Sequence, residues 1–454
     1  MPQLSDVLLD TADNPTRIQL VKTESFDAFS AQLSATDRDW LARQNFTARS
    51  GQLAWLEQQG APLAVIGWDG QDNLATLGGL PLQLPEGDYQ LLDTVSGLQL
   101  LGWALGAYQY DRYKDAKREP ARLVLPTETS ANVRHAADAI ALTRDLINTP
   151  AADMAPSHLS AEIVALAEQF NAHCELVVGD ELLDLGAGAI HAVGRAADDP
   201  PCLADLTWGD ESHPKVTLIG KGVTFDSGGL DIKPASGMRL MKKDMGGAAI
   251  AVGLANLIMA AGLPVRLRLL IPMAENAIAG NAFRPGDVLA THAGITVEID
   301  NTDAEGRLLL CDALSIGKAD KPDLMVDFAT LTGSARSAVG AEIAAMFSNS
   351  DELAAAISSQ AEATDDPVWR MPLHDDYRYM LDSNVADLVN SAASPYAGSV
   401  TAALFLKEFV GDVPWVHFDI MAFNTRNRPG RPEGGEAMAL RAVFHYLEQR
   451  YAQP

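Results

Sequence analysis

From Pro156 onward the sequence repeats one cycle: a short apolar run of strand length, then a longer segment with helical spacing. Residues 174–178, 216–220, 265–271, 295–299 and 324–328 read as strands, and 159–170, 246–261 and 303–318 as helices. Helices over 352–363, 399–410 and 436–451 and a late strand over 415–420 extend the series. Alternating strands and helices are satisfied best when each crossover covers one face of the sheet. The order therefore predicts an α/β fold, with a mostly parallel, doubly wound sheet sandwiched by helices. In such sheets ligands bind where the carboxyl ends of the strands meet. The residues just after the apolar runs thus become the first candidates for chemistry.

At 454 residues and 47% apolar content the chain exceeds one ordinary core, so two domains are expected of a soluble, globular protein. Residues 1–130 alternate short apolar runs with turn signals, with strands at 62–67 and 121–126 and a helix at 95–108, and read as a smaller N-terminal α/β domain. Composition turns to charge at 111–119, and Ser130 is a plausible N-cap for a linker helix within 131–150, stopped by Asn148-Thr149-Pro150. The rest, 151–454, is the larger domain and carries every candidate site.

Charge excludes some partners. Lys and Arg total 34 against 60 Asp and Glu, a formal charge of -26 that repels phosphate backbones, so nucleic acid is an unexpected partner. Cys174, Cys202 and Cys311 are odd in number and widely spaced, which suggests neither a disulfide framework nor a thiolate zinc site and fits a reducing cytoplasm. No secretory signal is expected from the acid-containing N-terminal residues. The most apolar helical stretch, 246–262, is rich in Ala and Gly and shorter than the roughly 20 apolar residues a bilayer crossing needs, so no membrane association is expected.

Acids and lysines gather after the apolar runs. Lys221-Gly-Val-Thr-Phe-Asp226-Ser-Gly-Gly-Leu-Asp231-Ile-Lys233 follows one strand, Met241-Lys-Lys-Asp244 comes next, and Asn301-Thr-Asp303-Ala-Glu305-Gly-Arg307 follows another. Hard divalent ions want several carboxylate oxygens, and Asp226, Asp244, Asp303 and Glu305 supply four, enough for two ions. Arg307 can hold an anion beside them. Singly, each residue has an ordinary reading: helix caps for Asp244 and Asp303, surface cations for Lys221 and Lys233, a helix salt bridge for Arg307, tight turns for Gly222, Gly228 and Gly229. Three motifs converging on one crevice resist that reading. Competing signatures fail: no phosphate loop, because Gly222 follows Lys221, no His-Glu-x-x-His and no Gly-x-Ser-x-Gly. His417 stands alone and reads as a core histidine.

These motifs resemble the leucine aminopeptidase family of dinuclear metallo-exopeptidases. Asn301 to Leu308 reproduces its Asn-Thr-Asp-Ala-Glu-Gly-Arg-Leu signature, and Lys221-Gly-x-Thr-Phe-Asp-Ser-Gly-Gly, Ile232-Lys-Pro, Met241-Lys-x-Asp-Met-x-Gly-Ala-Ala and Ala329-Thr-Leu-Thr-Gly333 add to it. The likeness covers about 130–425; the N-terminal domain resembles the family only in size and placement. It implies that Asp226 and Glu305 bridge two ions, that Asp303 completes the looser site, and that Lys221 and Asp244 complete the tighter one. It further implies that Lys233 polarises the scissile carbonyl and that Arg307 holds a bicarbonate as general base. A metal-bridging hydroxide would then release the N-terminal residue of short peptides, with the free α-amine on the tighter metal. Met241, Thr330 and Gly333 would line the pocket for the first side chain, Asn301 and Ala304 would border the next, and Leu331 joins the substrate-binding set.

Carboxylate and amine ligands suit Mn or Zn, with Co or Mg also compatible, and the resemblance implies a homohexamer. At 420–424, Ile-Met-Ala-Phe-Asn replaces the family's more common Ile-Ala-Gly, so Met421 is expected to narrow or reshape the first pocket. Residues 434–441 likewise replace a Gly-rich turn. Relatives that bind DNA or have lost catalysis define the alternative, a regulatory or structural member.

Overall fold

The structure is a computed structural model describing residues 3–58, 60–127, 129 and 131–452; the expected cap Ser130 lies outside the described residues. Contacts divide the chain into two compact units, 1–141 with 426–433, and 142–425 with 434–454. The 426–433 segment thus groups with the N-terminal unit, although it lies far along the chain.

Among the described residues the first unit holds a six-stranded sheet of β1 (Leu8–Leu9), β2 (Thr16–Lys22), β3 (Leu53–Gln58), β4 (Ala61–Trp68), β5 (Asp88–Leu91) and β6 (Arg122–Val124), in the order β1-β6-β5-β2-β4-β3. Only β3–β4 pairs antiparallel. Leu63 to Ile66 of β4 are fully buried, and the helix Gly97–Ala107 starts at Ser96, whose hydroxyl accepts from Gln99 N while the Gln99 side chain accepts from Ser96 N.

The second unit is built on a nine-stranded sheet. Along the chain come β7 (His173–Val178), β8 (Cys202–Trp208), β9 (Lys215–Gly220), β10 (Gly222–Asp226) and β11 (Arg266–Asn276). A small pair, β12 (Val288–Ala290) and β13 (Thr296–Glu298), follows. Then come β14 (Leu324–Ala329), β15 (Ala344–Ser348), β16 (Val368–Arg370), β17 (Leu388–Val389), which joins the small pair, and β18 (Trp415–Asp419). The order β16-β15-β18-β14-β9-β11-β8-β7, with β10 also on β11, makes the centre parallel; antiparallel joints fall at β18–β15, β11–β8 and β8–β7.

Helices cover the sheet as the alternation predicts. Leu308, Leu309, Leu310, Ala313 and Leu314 of the helix Gly306–Ala319 are fully buried, each leucine contributing about 1.5–3 kcal/mol. The helix Gly246–Ala260 is buried on nearly all sides. A Cβ on Gly247 would lie 2.1 Å from Phe328 O, so its small residues serve close approach to the sheet. Among the described residues no helix is long and apolar enough to cross a membrane.

Two helix starts differ from expectation for identifiable reasons. The helix expected from Asp303 begins at Gly306, because the 301–304 backbone is held by the Asn390 side chain instead of by helical bonds. The helix expected from Glu436 begins at Leu440, because β20 (Gly434–Gly435) pairs with β19 (Phe423–Asn424) and Ala439 has a φ of 61°. Strands β8, β10 and β15 carry no expectation in the sequence reading. The Val-Thr-Phe-Asp alternation of β10 is only four residues long and starts just after Lys221 and the end of β9, so it does not stand out as a separate strand.

Candidate metal centre

The parallel strands of the second unit end together. Lys221 follows β9, Asp226 ends β10, Asn276 ends β11, Thr330 follows β14 and Asp419 ends β18. Asp244 is delivered by the 3-10 turn Met241–Met245, and Asp303 and Glu305 by the loop before the helix Gly306–Ala319. Carboxylate oxygens of Asp226, Asp244 and Glu305, all buried, lie within 4.8 Å of one another.

Two lysines are threaded between the acids. Lys221 Nζ lies 2.7 Å from Asp244 Oδ2 and 2.8 Å from Glu305 Oε1, and it donates to Thr330 O at 3.0 Å. Its path depends on a missing side chain, since a Cβ on Gly306 would sit 2.4 Å from Lys221 Cε. Lys233 Nζ lies 2.7 Å from Asp226 Oδ2 and hydrogen-bonds Asp303 Oδ1. Gly228, at a φ of 89°, brings this loop in where a Cβ would meet Asp231 O at 2.6 Å. Asp226 Oδ1 is fixed by Gly228 N and Asn276 Nδ2, at 2.8 and 2.9 Å.

Crowding of like charge shapes the electrostatics. Burial, reinforced by Asp226, pushes the Glu305 carboxyl up to about 8, against the pull of Lys221. Burial and then Asp226 push Asp303 to about 6. Burial opposes ionisation of Asp244 as well, yet Lys221 and Lys243 outweigh it and hold Asp244 below the usual range. Burial would depress Lys221 and Lys233, but the acids around each prevail and hold both above an ordinary lysine. Arg307 is 7% exposed, and burial, only partly offset by Asp419 and Glu305, brings it down to about 10.

The donor set fits divalent cations. Despite the short contacts with Lys221, Asp244 Oδ2 and Glu305 Oε1 accept no hydrogen bond of sound geometry, and Asn276 Oδ1 and Arg307 Nε also lack partners. A buried acceptor left unsatisfied costs about 1–3 kcal/mol, more when charged. Oxygens aimed at one another across a few ångströms gain most from a shared cation. The ordinary readings fit less well: neither the helix from Gly246 nor that from Gly306 has a side-chain cap, and Lys221 is 2% exposed. Cavities of about 460, 430 and 730 Å³ open elsewhere on this unit, lined by partly exposed charge without such a buried cluster.

The residues expected to meet substrate stand around the acids. Thr330 Oγ1 donates to Asp244 O at 2.9 Å, Leu331 N and Thr332 N donate to Asp419 Oδ1, and Gly333 opens the helix Gly333–Val339. Met241 is buried at the start of its turn. The Asn301 side chain accepts from Asp303 N at 2.8 Å, and Ala304 N donates to Asn301 O. Sequence reasoning passed over the supports: Asn276, Asn390, Asp419, and the Asp231–Thr302 clamp, in which Thr302 N donates to Asp231 Oδ2 at 2.8 Å. Asn276 and Asp419 each close an apolar strand at its carboxyl end, and that position was the available signal. His417 is a core residue, its Nδ1 2.5 Å from Asp327 Oδ1.

Comparison with known proteins places the chain in a family. Residues 141–444 match the family model described as cytosol aminopeptidase family, catalytic domain, and 16–126 match the M17 aminopeptidase N-terminal domain, so the likeness of the N-terminal part goes beyond size and placement. A probable cytosol aminopeptidase of Geobacter sp. (strain M21) is 39% identical over 77% of this chain and 74% of its own length. The crystal structure of a cytosol aminopeptidase from Coxiella burnetii superposes with a TM-score of 0.95 at 47% identity, covering 98% of this chain and 100% of that one. The bottromycin maturation enzyme BotP, solved in complex with Mn, gives a TM-score of 0.86 at 34% identity, covering 96% of this chain and all of its own. With the family's catalytic model matched over most of the chain and its fold shared throughout, the chain belongs to the cytosol aminopeptidase family and is a peptidase hydrolase.

Proposed function

We propose that this chain is a metal-dependent aminopeptidase that removes the N-terminal residue of short peptides with the help of two divalent ions. The observation that carries the reading is the convergence of buried Asp226, Asp244 and Glu305 carboxylate oxygens within 4.8 Å, with Asp244 and Glu305 held otherwise by the Lys221 ammonium. Asp226, Asp244, Glu305, Asp303 and Lys221 would hold the ions, with Mn or Zn favoured over Co or Mg. Bound there, the ions would supply Lewis acidity toward the scissile carbonyl and lower the pKa of an attacking water.

The remaining steps belong to the chain's own side chains. Lys221 would serve as a neutral ligand amine. Its acidic neighbours hold it charged in the metal-free chain, and it loses that support once their charge is neutralised. Lys233, half-buried and kept as an ammonium, is placed to polarise the carbonyl and stabilise the oxyanion. Arg307 offers buried N–H donors to a small anion, for which a bicarbonate in the role of general base is the proposal. Met241, Thr330, Leu331 and Gly333, with Asn301 and Ala304, would receive the first two substrate residues.

Catalysis is assigned to 151–454, with the 131–150 helix joining it to the N-terminal domain 1–130. A homohexamer in the cytoplasm completes the proposal, testable by sedimentation and cell fractionation. Steady-state kinetics on aminoacyl amides tests the roles. Lys233→Met and Arg307→Met should each lower kcat about 10²–10³-fold with little change in KM. An unchanged kcat in both variants sinks the assignment.

A further inference from the structure

The 330–332 loop forms a wall of the acid cluster, because Thr330 bonds both Asp244 O and Lys221 Nζ. The helix Gly333–Val339 leaves directly from it, and Arg336 stands one turn along, half-buried. The loop after β18 closes on the same place: a Cβ on Gly246 would lie 2.4 Å from Ala422 Cβ and 3.4 Å from Thr330 Cγ2. Met421, next to Ala422, meets Arg336, with Nη1 3.4 Å from the Met421 sulfur. Arg336 Nη2 is 3.4 Å from where a Cβ on Gly333 would be.

That sulfur is the one polar contact of this guanidinium among the described residues, and no carboxylate pairs with it. Other half-buried arginines that lack a salt bridge among the described residues, Arg17, Arg118 and Arg266, spend N–H groups on backbone carbonyls, whereas Arg336 meets only a thioether and keeps its donors for an external anion. A planar guanidinium with free N–H donors matches a carboxylate in two-pronged fashion, and a thioether alongside leaves those donors unspent.

We propose that Arg336 is a specificity residue that receives the side-chain carboxylate of the first substrate residue, so that peptides beginning with Glu or Asp are favoured. The inference rests on the aminopeptidase reading above and names its substrate class. Side-chain contact of this kind is made before and during reaction alike, so it should appear mainly in KM.

The test is the full-length enzyme, supplied with Mn or Zn, acting on Glu-, Gln-, Asp- and Leu-amides and on Leu-Gly. Glu and Gln differ in charge and hardly in shape. In the wild type kcat/KM for Glu should exceed that for Gln by roughly tenfold or more, and Arg336→Met should bring the ratio toward one. Arg336→Glu should turn the preference toward Lys and Arg. Equal Glu and Gln rates in the wild type, with Gln or Leu still cleaved, overturn the inference and leave the aminopeptidase reading standing. An Arg336-dependent preference for Leu-Gly over Leu-amide, without Glu over Gln, overturns it in favour of a chain-end carboxylate. Cleavage of none of them, with two ions bound, overturns the parent reading and this one together. The wild-type Glu to Gln comparison needs no variant and decides even if substitution impairs folding.

Discussion

Glu305 and Asp312 sit seven residues apart, at the start and in the middle of the helix Gly306–Ala319, and both are buried acids with raised pKa values. Burial pushes Asp312 up to about 7 against its backbone hydrogen bonds, and burial with Asp226 pushes Glu305 up to about 8. Their partners differ. Asp312 Oδ2 accepts from Ala189 N and Ile190 N at 2.9 and 3.1 Å, and its Oδ1 from His292 N at 2.8 Å. Glu305 Oε1 has no backbone donor among the described residues and only the Lys221 Nζ ion pair, 2.8 Å away, whose hydrogen-bond geometry is poor. A perturbed pKa therefore does not distinguish a site from a scaffold in this protein; the unspent acceptor does.

The largest effect expected from this contrast is at Glu305. Glu305→Gln should reduce metal-supported turnover to background while the metal-free variant unfolds no earlier than the wild type, because a costly buried acid has been removed. Paired activity and thermal denaturation measurements check it, and a destabilised Glu305→Gln protein would erase the distinction. Asp312→Ala should do the reverse, costing about 3 kcal/mol by stranding two buried N–H donors and one half-buried one, each worth about 1–3 kcal/mol. Denaturant unfolding measures this, and an undiminished midpoint would place Asp312 outside the scaffold.

A pH dependence sharpens the same comparison. The folded chain binds the Asp312 proton up to about pH 7 and the unfolded chain only to about 3.8, so stability from this group declines as pH rises between those values and levels off above them. Asp312→Asn should flatten that part of the stability profile; an unaltered slope would show that the carboxyl titrates normally. The smallest expected effect is at Gly306, where an added methyl group meets Lys221 Cε. Gly306→Ala should cost about 1–3 kcal/mol and lower metal affinity by displacing the lysine.

Much of the centre was legible because its motifs are contiguous and close apolar runs. Lys221, Asp226 and Lys233 belong to one stretch, Asn301 to Arg307 to another, and a parallel sheet brings such stretches to one edge. Supports that act singly were not legible. Asn276, Asn390 and Asp419 come from separate segments, and no local spacing distinguishes an asparagine that holds a loop from one on the surface. Strand β10 was hidden by its shortness and by its closeness to β9, one residue away, although it delivers Asp226. The start of the helix at Gly306 depends on Asn390, 84 residues beyond it, and long-range hydrogen bonding leaves no periodic trace. Arg336 was missed for a similar reason, since its lack of an acidic partner is visible only in three dimensions.

The central claim is that the unsatisfied carboxylates hold two catalytic ions. Calorimetric titration of the metal-stripped chain with Mn or Zn, with release of the N-terminal residue from free-amine and N-acetylated peptides followed in the same samples, tests it directly. Two ions bound per chain, with activity restored on free-amine peptides alone, is the predicted result. Binding of no ion, or equal cleavage of the N-acetylated peptides, would contradict it.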